Sequence, residues 1–253
     1  MDLTDIKNFY NNLMDYFHLI FEDYDKSMDE HASVIDNLIK LENKDRNFSI
    51  LDCACGIGRQ SLGLSKLGYN VTGSDLSGTA IKRANEEAEK RKLSAKFFEA
   101  DFCNLDKAFS QKFDIVIAID NPLPHMLQDG DFLSALKSIY ERLNENGILI
   151  SSLRDYDELI KTKPKCSEPR IVHSNGGKLI AFQVWDWKDN IYDFTEYIIF
   201  DNKELKTYKF PCTYRAYQRS EITKLSESAG FQNIKWLMPK ETFFHQPIFI
   251  VRK

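Results

Sequence analysis

The sequence predicts an α/β protein: a doubly wound parallel sheet with helices on both faces, an inserted antiparallel meander and a helical N-terminal cap. Three observations carry this expectation. From Phe48 onward, short apolar runs alternate with amphipathic helical patterns, as in strands joined by right-handed crossovers. Between Lys178 and Phe210 the helical period disappears, and turn-forming Asp-Asn pairs divide the apolar stretches. Before the first strand, apolar residues recur at helical spacing.

In order along the chain, residues 1–45 form the cap, where Phe9, Leu13 and Phe17 and then Val34, Ile35, Leu38, Ile39 and Leu41 mark helical faces around the acidic stretch FEDYDKSMDE. The main domain, residues 46–253, opens with the strand SILDC and continues as helix RQSLGLSKLG, strand YNVTGSD, helix SGTAIKRANEEAEKRK and strand AKFFEAD. Strand FDIVIAID, helix DFLSALKSIYERL and strand GILISSLRD follow. Residues 171–212 are expected to form the inserted antiparallel subdomain, with turns at Asp189-Asn190 and Asp201-Asn202. Helix SEITKLSESAG, with Gly230 as C-cap, and strands FQNIKWLM and PIFIVRK close the domain.

A chain of 253 residues buries a sizeable core without staples. Its 34 Lys plus Arg against 38 Asp plus Glu give a net charge of −4, and no basic block follows a phosphate backbone, so nucleic acid is not an expected partner. The five cysteines (Cys53, Cys55, Cys103, Cys166 and Cys212) make no C-x-x-C knuckle, so no metal site is expected and the thiols read as reduced. No apolar run approaches the roughly 20 residues that span a bilayer. A soluble, cytoplasmic protein without a membrane partner is expected.

The stretch SILDCACGIGRQS places the acid Asp52 at a strand end and two glycines, Gly56 and Gly58, just after it. Glycines at such a turn can be purely steric. A dinucleotide site would ask for a third glycine at position 61, where Ser61 stands, and Asp52 would repel a pyrophosphate. The same acid suits a ligand carrying ammonium and sulfonium charges. Asp75 ends the next strand, where a carboxylate can accept from a ribose diol, or alternatively cap the following helix, a role open equally to Ser77. Asp101, after the third strand, can meet an adenine amine with Phe102 against the ring.

In their order and spacing, LDCACGIGRQS, GSDLS, EADF and FDIVIAID resemble the class I S-adenosylmethionine-dependent methyltransferases, from Phe48 to the C-terminus. The resemblance implies a Rossmann-like seven-stranded sheet with one antiparallel strand, and S-adenosylmethionine bound above the carboxyl ends of the strands. It assigns to that cofactor Asp52, Cys53, Ala54, Gly56, Gly58, Arg59, Asp75, Leu76, Asp101, Phe102 and Asp120. A narrower similarity joins DNPLPHM and LRDYDELI to glycine and sarcosine N-methyltransferases, which carry Asn-x-x-x-His and Arg-Asn-Tyr-Asp there. It implies Asn121 as a substrate contact, His125 as a pocket neighbour and Arg154 as a carboxylate anchor, the three catalytic candidates. Asp155 departs from that pattern, and Pro122 and Pro124 stiffen the loop. DYFHLIFEDYDKS, QVWDW and FFHQPIFIVRK also resemble uncharacterised bacterial relatives.

Methyl transfer from a sulfonium needs alignment and exclusion of water more than acid or base. The substrate side is therefore assigned to Tyr16 (beside His18 and Tyr24 in the N-terminal lid), Asn121, Arg154, Trp185 and Arg215. Each retains an alternative. Asn121 can cap a turn, Arg154 can pair with Asp155 or Asp157, and His125 can be a packed histidine; Trp185, Trp187, Tyr192 and Tyr197 can be core instead of pocket wall. The expected function is methylation of a small molecule, at the amine nitrogen of a carboxylate-bearing substrate. Alternatives are O-methylation with His125 or Asp120 as base, or a cofactor-binding regulator without turnover. DNPLP echoes the DNA adenine methyltransferase motif but lacks its second adjacent proline and stacking aromatic. The acceptor's identity and the oligomeric state are left open.

Overall fold

The computed structural model describes residues 3–44, 46–174 and 177–253. Helices α1 (Leu3–Phe17) and α2 (Tyr24–Leu41) precede β1 (Ser49–Asp52), α3 (Arg59–Lys66), β2 (Asn70–Asp75), α4 (Gly78–Arg91) and β3 (Lys96–Glu99). Next come β4 (Phe113–Ala118), α5 (Asp129–Arg142), β5 (Leu143–Ser152) and α6 (Tyr156–Thr162). The meander consists of β6 (Arg170–Ser174), β7 (Gly177–Lys188), β8 (Ile191–Asp201) and β9 (Leu205–Arg215). The chain closes with α7 (Arg219–Ser228), β10 (Gln232–Leu237), α8 (Pro239–Thr242) and β11 (Ile248–Arg252).

The main sheet has seven strands in the order β10-β11-β5-β4-β1-β2-β3. Pairings from β5 through β3 are parallel, and β11 runs antiparallel to both neighbours. This is the seven-stranded sheet with one antiparallel strand that the resemblance implied. Central strands are covered on both faces, so they read as continuous apolar runs: Ile148, Leu149 and Ile150 on β5 and Ile248, Phe249 and Ile250 on β11 are all buried. The strand order reverses between β1 and β4, which opens a crevice at their carboxyl ends.

Local chemistry fixes the helices beside that crevice. Asp23 caps α2 by accepting from the Lys26 amide at 2.9 Å, and Ser77 caps α4 through the Ala80 amide at 3.1 Å. Ser77, not Asp75, thus carries the capping role. Gly63 lets α3 lie close under α2, since a Cβ there would stand 2.7 Å from both the Ala32 Cβ and the Met28 carbonyl oxygen.

The second sheet, β6-β7-β8-β9, is wholly antiparallel. Lys188 pairs with Ile191 across the two-residue turn Asp189-Asn190, with Asp189 at φ +57°. On β8, Tyr192, Phe194, Glu196 and Ile198 form the buried face, and on β9 Phe210, Cys212 and Tyr214 do the same. Helix α1 packs against both α4 and β9, with Ile6, Phe9, Leu13 and Met14 buried. It thereby bridges the two sheets across the crevice. Among the described residues no helix is long and apolar enough to cross a membrane.

Candidate functional site

A cavity of about 1360 Å³ lies between the strand tips of the main sheet, α1 and the inner face of the meander. Its floor is the turn after β1. Gly56 has φ +52° and Gly58 φ +87°, a backbone region that side chains avoid. At Gly58 a Cβ would also press on Phe97 and Leu62 at 3.1 and 3.2 Å. These glycines let the chain double back into α3, with Cys53, Ala54 and Gly56 on the cavity surface.

The strand-tip acids divide into different tasks. Asp52 is fully buried and is not part of the cavity wall. It accepts from the Ser61 hydroxyl at 2.7 Å, and burial pushes its carboxyl up to about 7. The expectation that Asp52 meets a ligand directly is therefore corrected: it braces the turn from behind. Gly58 likewise shapes the turn without lining the cavity. Asp75 does line it, accepting from the Gly56 amide at 2.8 Å and the Ser77 amide at 2.9 Å. Burial raises its carboxyl, and the amides of Ser77, Gly56 and Leu76 oppose that rise. Asp101 lines the cavity beside Leu76 and Phe102, held by the Cys103 amide and the Asn104 side-chain amide, each at 2.8 Å. With two lone pairs on each oxygen, Asp75 and Asp101 retain accepting capacity toward the cavity.

At the tip of β4, Asp120 and Asn121 both have φ +71°, a conformation that costs free energy for a side-chain-bearing residue and clusters at functional sites. The Asp120 amide donates to the Ser152 hydroxyl at 2.8 Å, and the Asn121 amide to the Ser152 carbonyl at 3.1 Å. These bonds hold the turn. The Asp120 carboxylate pairs with Arg59, accepts from Gln60 at 2.7 Å and lies 3.3 Å from His245. Burial alone would raise this carboxyl, but Arg59 and His245 hold it well below the usual carboxylate range. His31, beside Gln60, is pushed down to about 4 by burial and by Arg59. The group is a fixed anion on a cationic mount, unsuited to accepting a proton.

On β5's exit, Arg154 enters the cavity half-buried. Its guanidinium donates to the Tyr192 hydroxyl and the Gln183 amide oxygen, each at 3.0 Å. It sits over Trp185, Phe194 and Tyr214 at 4.9, 5.2 and 5.5 Å from the ring centroids. Among the described residues it makes no ion pair, neither with Asp155 nor with Asp157, both of which are taken by Arg219. Asn121 lies behind Arg154, not on the cavity wall. Its Oδ1 accepts from the Arg154 amide at 3.1 Å and the Tyr156 hydroxyl at 2.9 Å, and its buried Nδ2 has no partner. His125 lines the cavity with Nε2 2.6 Å from the Tyr10 hydroxyl and Nδ1 3.4 Å from the Cys212 sulfur. Burial and the nearby Arg154 push it down to about 3, so it is a neutral packed ring.

Two substrate candidates fall elsewhere. Tyr16 faces the outer part of β9, with its ring 4.7 Å from Tyr208 and 5.8 Å from Phe210. Arg215 follows the inward Tyr214 and so points to the opposite face, where it bridges Asp129 at 2.8 Å and Glu221 at 3.0 Å. Of the meander aromatics, Trp185 lines the cavity; Tyr192 stands behind Arg154, Trp187 donates to the Pro164 carbonyl, and Tyr197 stacks on Phe182. Tyr10, Met14, Gln183, Glu196, Tyr214 and Gln246 also line the cavity and were not identified from sequence. Strand alternation held a signal for one of them: Glu196 is an acid at an inward position of the apolar stripe Tyr192, Phe194, Ile198.

Residues 50–147 match a family described as a methyltransferase domain. The glycine/sarcosine N-methyltransferase of Parasynechococcus marenigrum is 33% identical over 126 residues, 50% of this chain and 45% of that protein. The chain thus spans about half the length of the curated relatives it matches. The solved structure of Streptomyces venezuelae DesVI superposes with a TM-score of 0.76 at 18% identity, covering 95% of this chain and 96% of that one. CalS10, an amino pentose methyltransferase from Micromonospora echinaspora, superposes at 0.72 with 14% identity, over 89% and 91% of the two chains. The fold is shared along nearly the whole length, while the family match spans residues 50–147.

Proposed function

We propose that this chain, which carries a class I S-adenosylmethionine-dependent methyltransferase domain, methylates the amine nitrogen of a small substrate bearing a carboxylate. The observation that carries the substrate class is Arg154. A cation held by neutral acceptors and aromatic faces inside a cavity, with no protein carboxylate paired to it among the described residues, is arranged for an anionic group of a ligand. Nitrogen as the acceptor atom is supported by the glycine/sarcosine N-methyltransferase relative.

The residues present fit the cofactor. Asp75 and Asp101 offer accepting oxygens for ribose hydroxyls and an adenine amine, Phe102 an apolar face, and Cys53, Ala54 and Gly56 a closely approaching backbone. When bound, S-adenosylmethionine supplies an electrophilic methyl group on a sulfonium whose departure needs no proton. The chain supplies the rest. Arg154 grips the acceptor's carboxylate, and its charge lowers the pKa of a nearby amine so that a neutral lone pair is available. Helix α1, through Tyr10, Leu13, Met14 and Phe17, walls off water. At about 1360 Å³ the cavity exceeds the roughly 300–1,000 Å³ of single-ligand pockets, leaving room for cofactor and acceptor together. O-methylation is less well supported, because neither proposed base is poised to accept a proton: His125 is pushed down to about 3 and Asp120 is paired with Arg59.

The test is methyl transfer from S-adenosylmethionine labelled in the methyl group to a panel of glycine, sarcosine, β-alanine and longer amino acids, with simple phenols and a short DNA duplex alongside. Label is expected in N-methylated amino acids alone. Transfer confined to phenols or to DNA would contradict the proposed acceptor class.

A further inference from the structure

The Arg154 side of the cavity carries a second charge that methyl transfer as described above does not use. Glu196 lies on β8 at an inward position, only 6% exposed, and contributes to the same cavity wall. It stands directly across from Gln183 in the β7-β8 register. The Gln183 amide oxygen is committed to Arg154 at 3.0 Å and to the Trp185 indole N–H at 3.3 Å, which leaves its NH2 to donate toward the Glu196 carboxyl across the strands. One amide therefore separates a guanidinium from a carboxyl. The two charges do not form an ion pair with each other within the described structure, although Arg154 and Arg170 both act on Glu196 through space.

Burying a carboxyl on a strand face between Phe194 and Ile198, opposite Phe210 in the β8-β9 register, is costly unless something cationic or donating meets it. Bracing Gln183 does not require an acid, since a neutral amide or hydroxyl would accept the same bond. A cation and an acid set side by side on one wall match the two ends of a zwitterion.

We propose that Glu196 receives the ammonium end of the acceptor and takes up its proton, so that the cavity selects zwitterionic amines over amines or carboxylic acids alone. This rests on Arg154 holding the carboxylate, as proposed above. In the step, an N–H bond of the ammonium breaks, its electron pair stays on nitrogen as the lone pair that attacks, and the proton bonds to a Glu196 oxygen. Burial raises the Glu196 carboxyl to about 7, which makes it a better proton acceptor than an exposed glutamate. The adjacent guanidinium favours release of the same proton from nitrogen.

The experiment measures binding to protein loaded with S-adenosylhomocysteine. Probes are glycine, β-alanine, 4-aminobutyrate and 6-aminohexanoate, each matched with the acid lacking the amine and the amine lacking the acid. At least one zwitterion is expected to bind about tenfold or more tighter than both of its counterparts. Glu196→Gln should remove most of that advantage while leaving affinity for the matched acid within about twofold, with unchanged thermal unfolding. Glu196→Gln protein that keeps the wild-type preference, or loaded wild-type protein that binds no zwitterion of the series, overturns the proposal. Failure of S-adenosylhomocysteine to bind at all would instead remove the methyltransferase function itself, so the two failures are distinguishable.

Discussion

Arg154→Ala is expected to raise the Michaelis constant for a carboxylate-bearing amine by about 10- to 100-fold, the equivalent of one or two charge-assisted hydrogen bonds. S-adenosylhomocysteine should bind the variant within about threefold of wild type, because Arg154 lies on the meander side of the cavity and Asp75 and Asp101 on the other. Some stability is lost as well, since Tyr192 and Gln183 each lose a donor. The informative control is Arg154→Lys. It keeps a positive charge but cannot reach Tyr192 and Gln183 in two directions while presenting a flat face to Trp185. An intermediate Michaelis constant is expected from it. Steady-state kinetics with the best amino acid of the panel, paired with calorimetric titration of S-adenosylhomocysteine, checks both halves. A variant whose cofactor binding collapses while the Michaelis constant stays put would reassign Arg154 to the cofactor.

Asp75→Ala should weaken S-adenosylhomocysteine binding by about 1.5–3 kcal/mol, roughly 10- to 100-fold in Kd. Part of that loss is direct, through the acceptor offered to the ribose. Part is indirect, because Asp75 also holds the Gly56 amide and so the glycine turn. Asp75→Asn separates the two: one oxygen still accepts, while the NH2 now confronts either a backbone N–H or the ligand. It should fall between wild type and alanine. Calorimetry on all three proteins, with circular dichroism to confirm the fold, is the check; equal affinities would remove Asp75 from the cofactor site.

The alternation of strands and helices was legible because each element announces its period, and the meander because the helical period disappears there. Arg154 was legible through LRDYDELI, whose position after β5 sets it across the sheet from Asn121. The division of labour among the acids was not. Asp52, Asp75 and Asp101 look alike in sequence, and depth decides between them: Asp52 is sealed behind the turn by Ser61, the very residue that stands where a dinucleotide fold needs glycine. Arg215 was misplaced for a simpler reason. Neighbouring positions on a strand face opposite ways, so a residue beside the inward Tyr214 cannot share its cavity. By the same rule Glu196 was readable as an acid on an apolar face, whereas Gln183 takes its role only from the β7-β8 register, which a single sequence does not fix. His125 shows the limit from the other side. Its position in the loop was legible, but not the Tyr10 hydroxyl from a helix 115 residues away that occupies its Nε2.

The most direct measurement is a crystal structure of the protein grown with S-adenosylhomocysteine. The ribose is expected within hydrogen-bonding distance of the Asp75 carboxyl and the base beside Phe102 and Asp101, with open space remaining toward Arg154. Density for the nucleoside anywhere else, or none at saturating concentration, would contradict the assignment of this cavity.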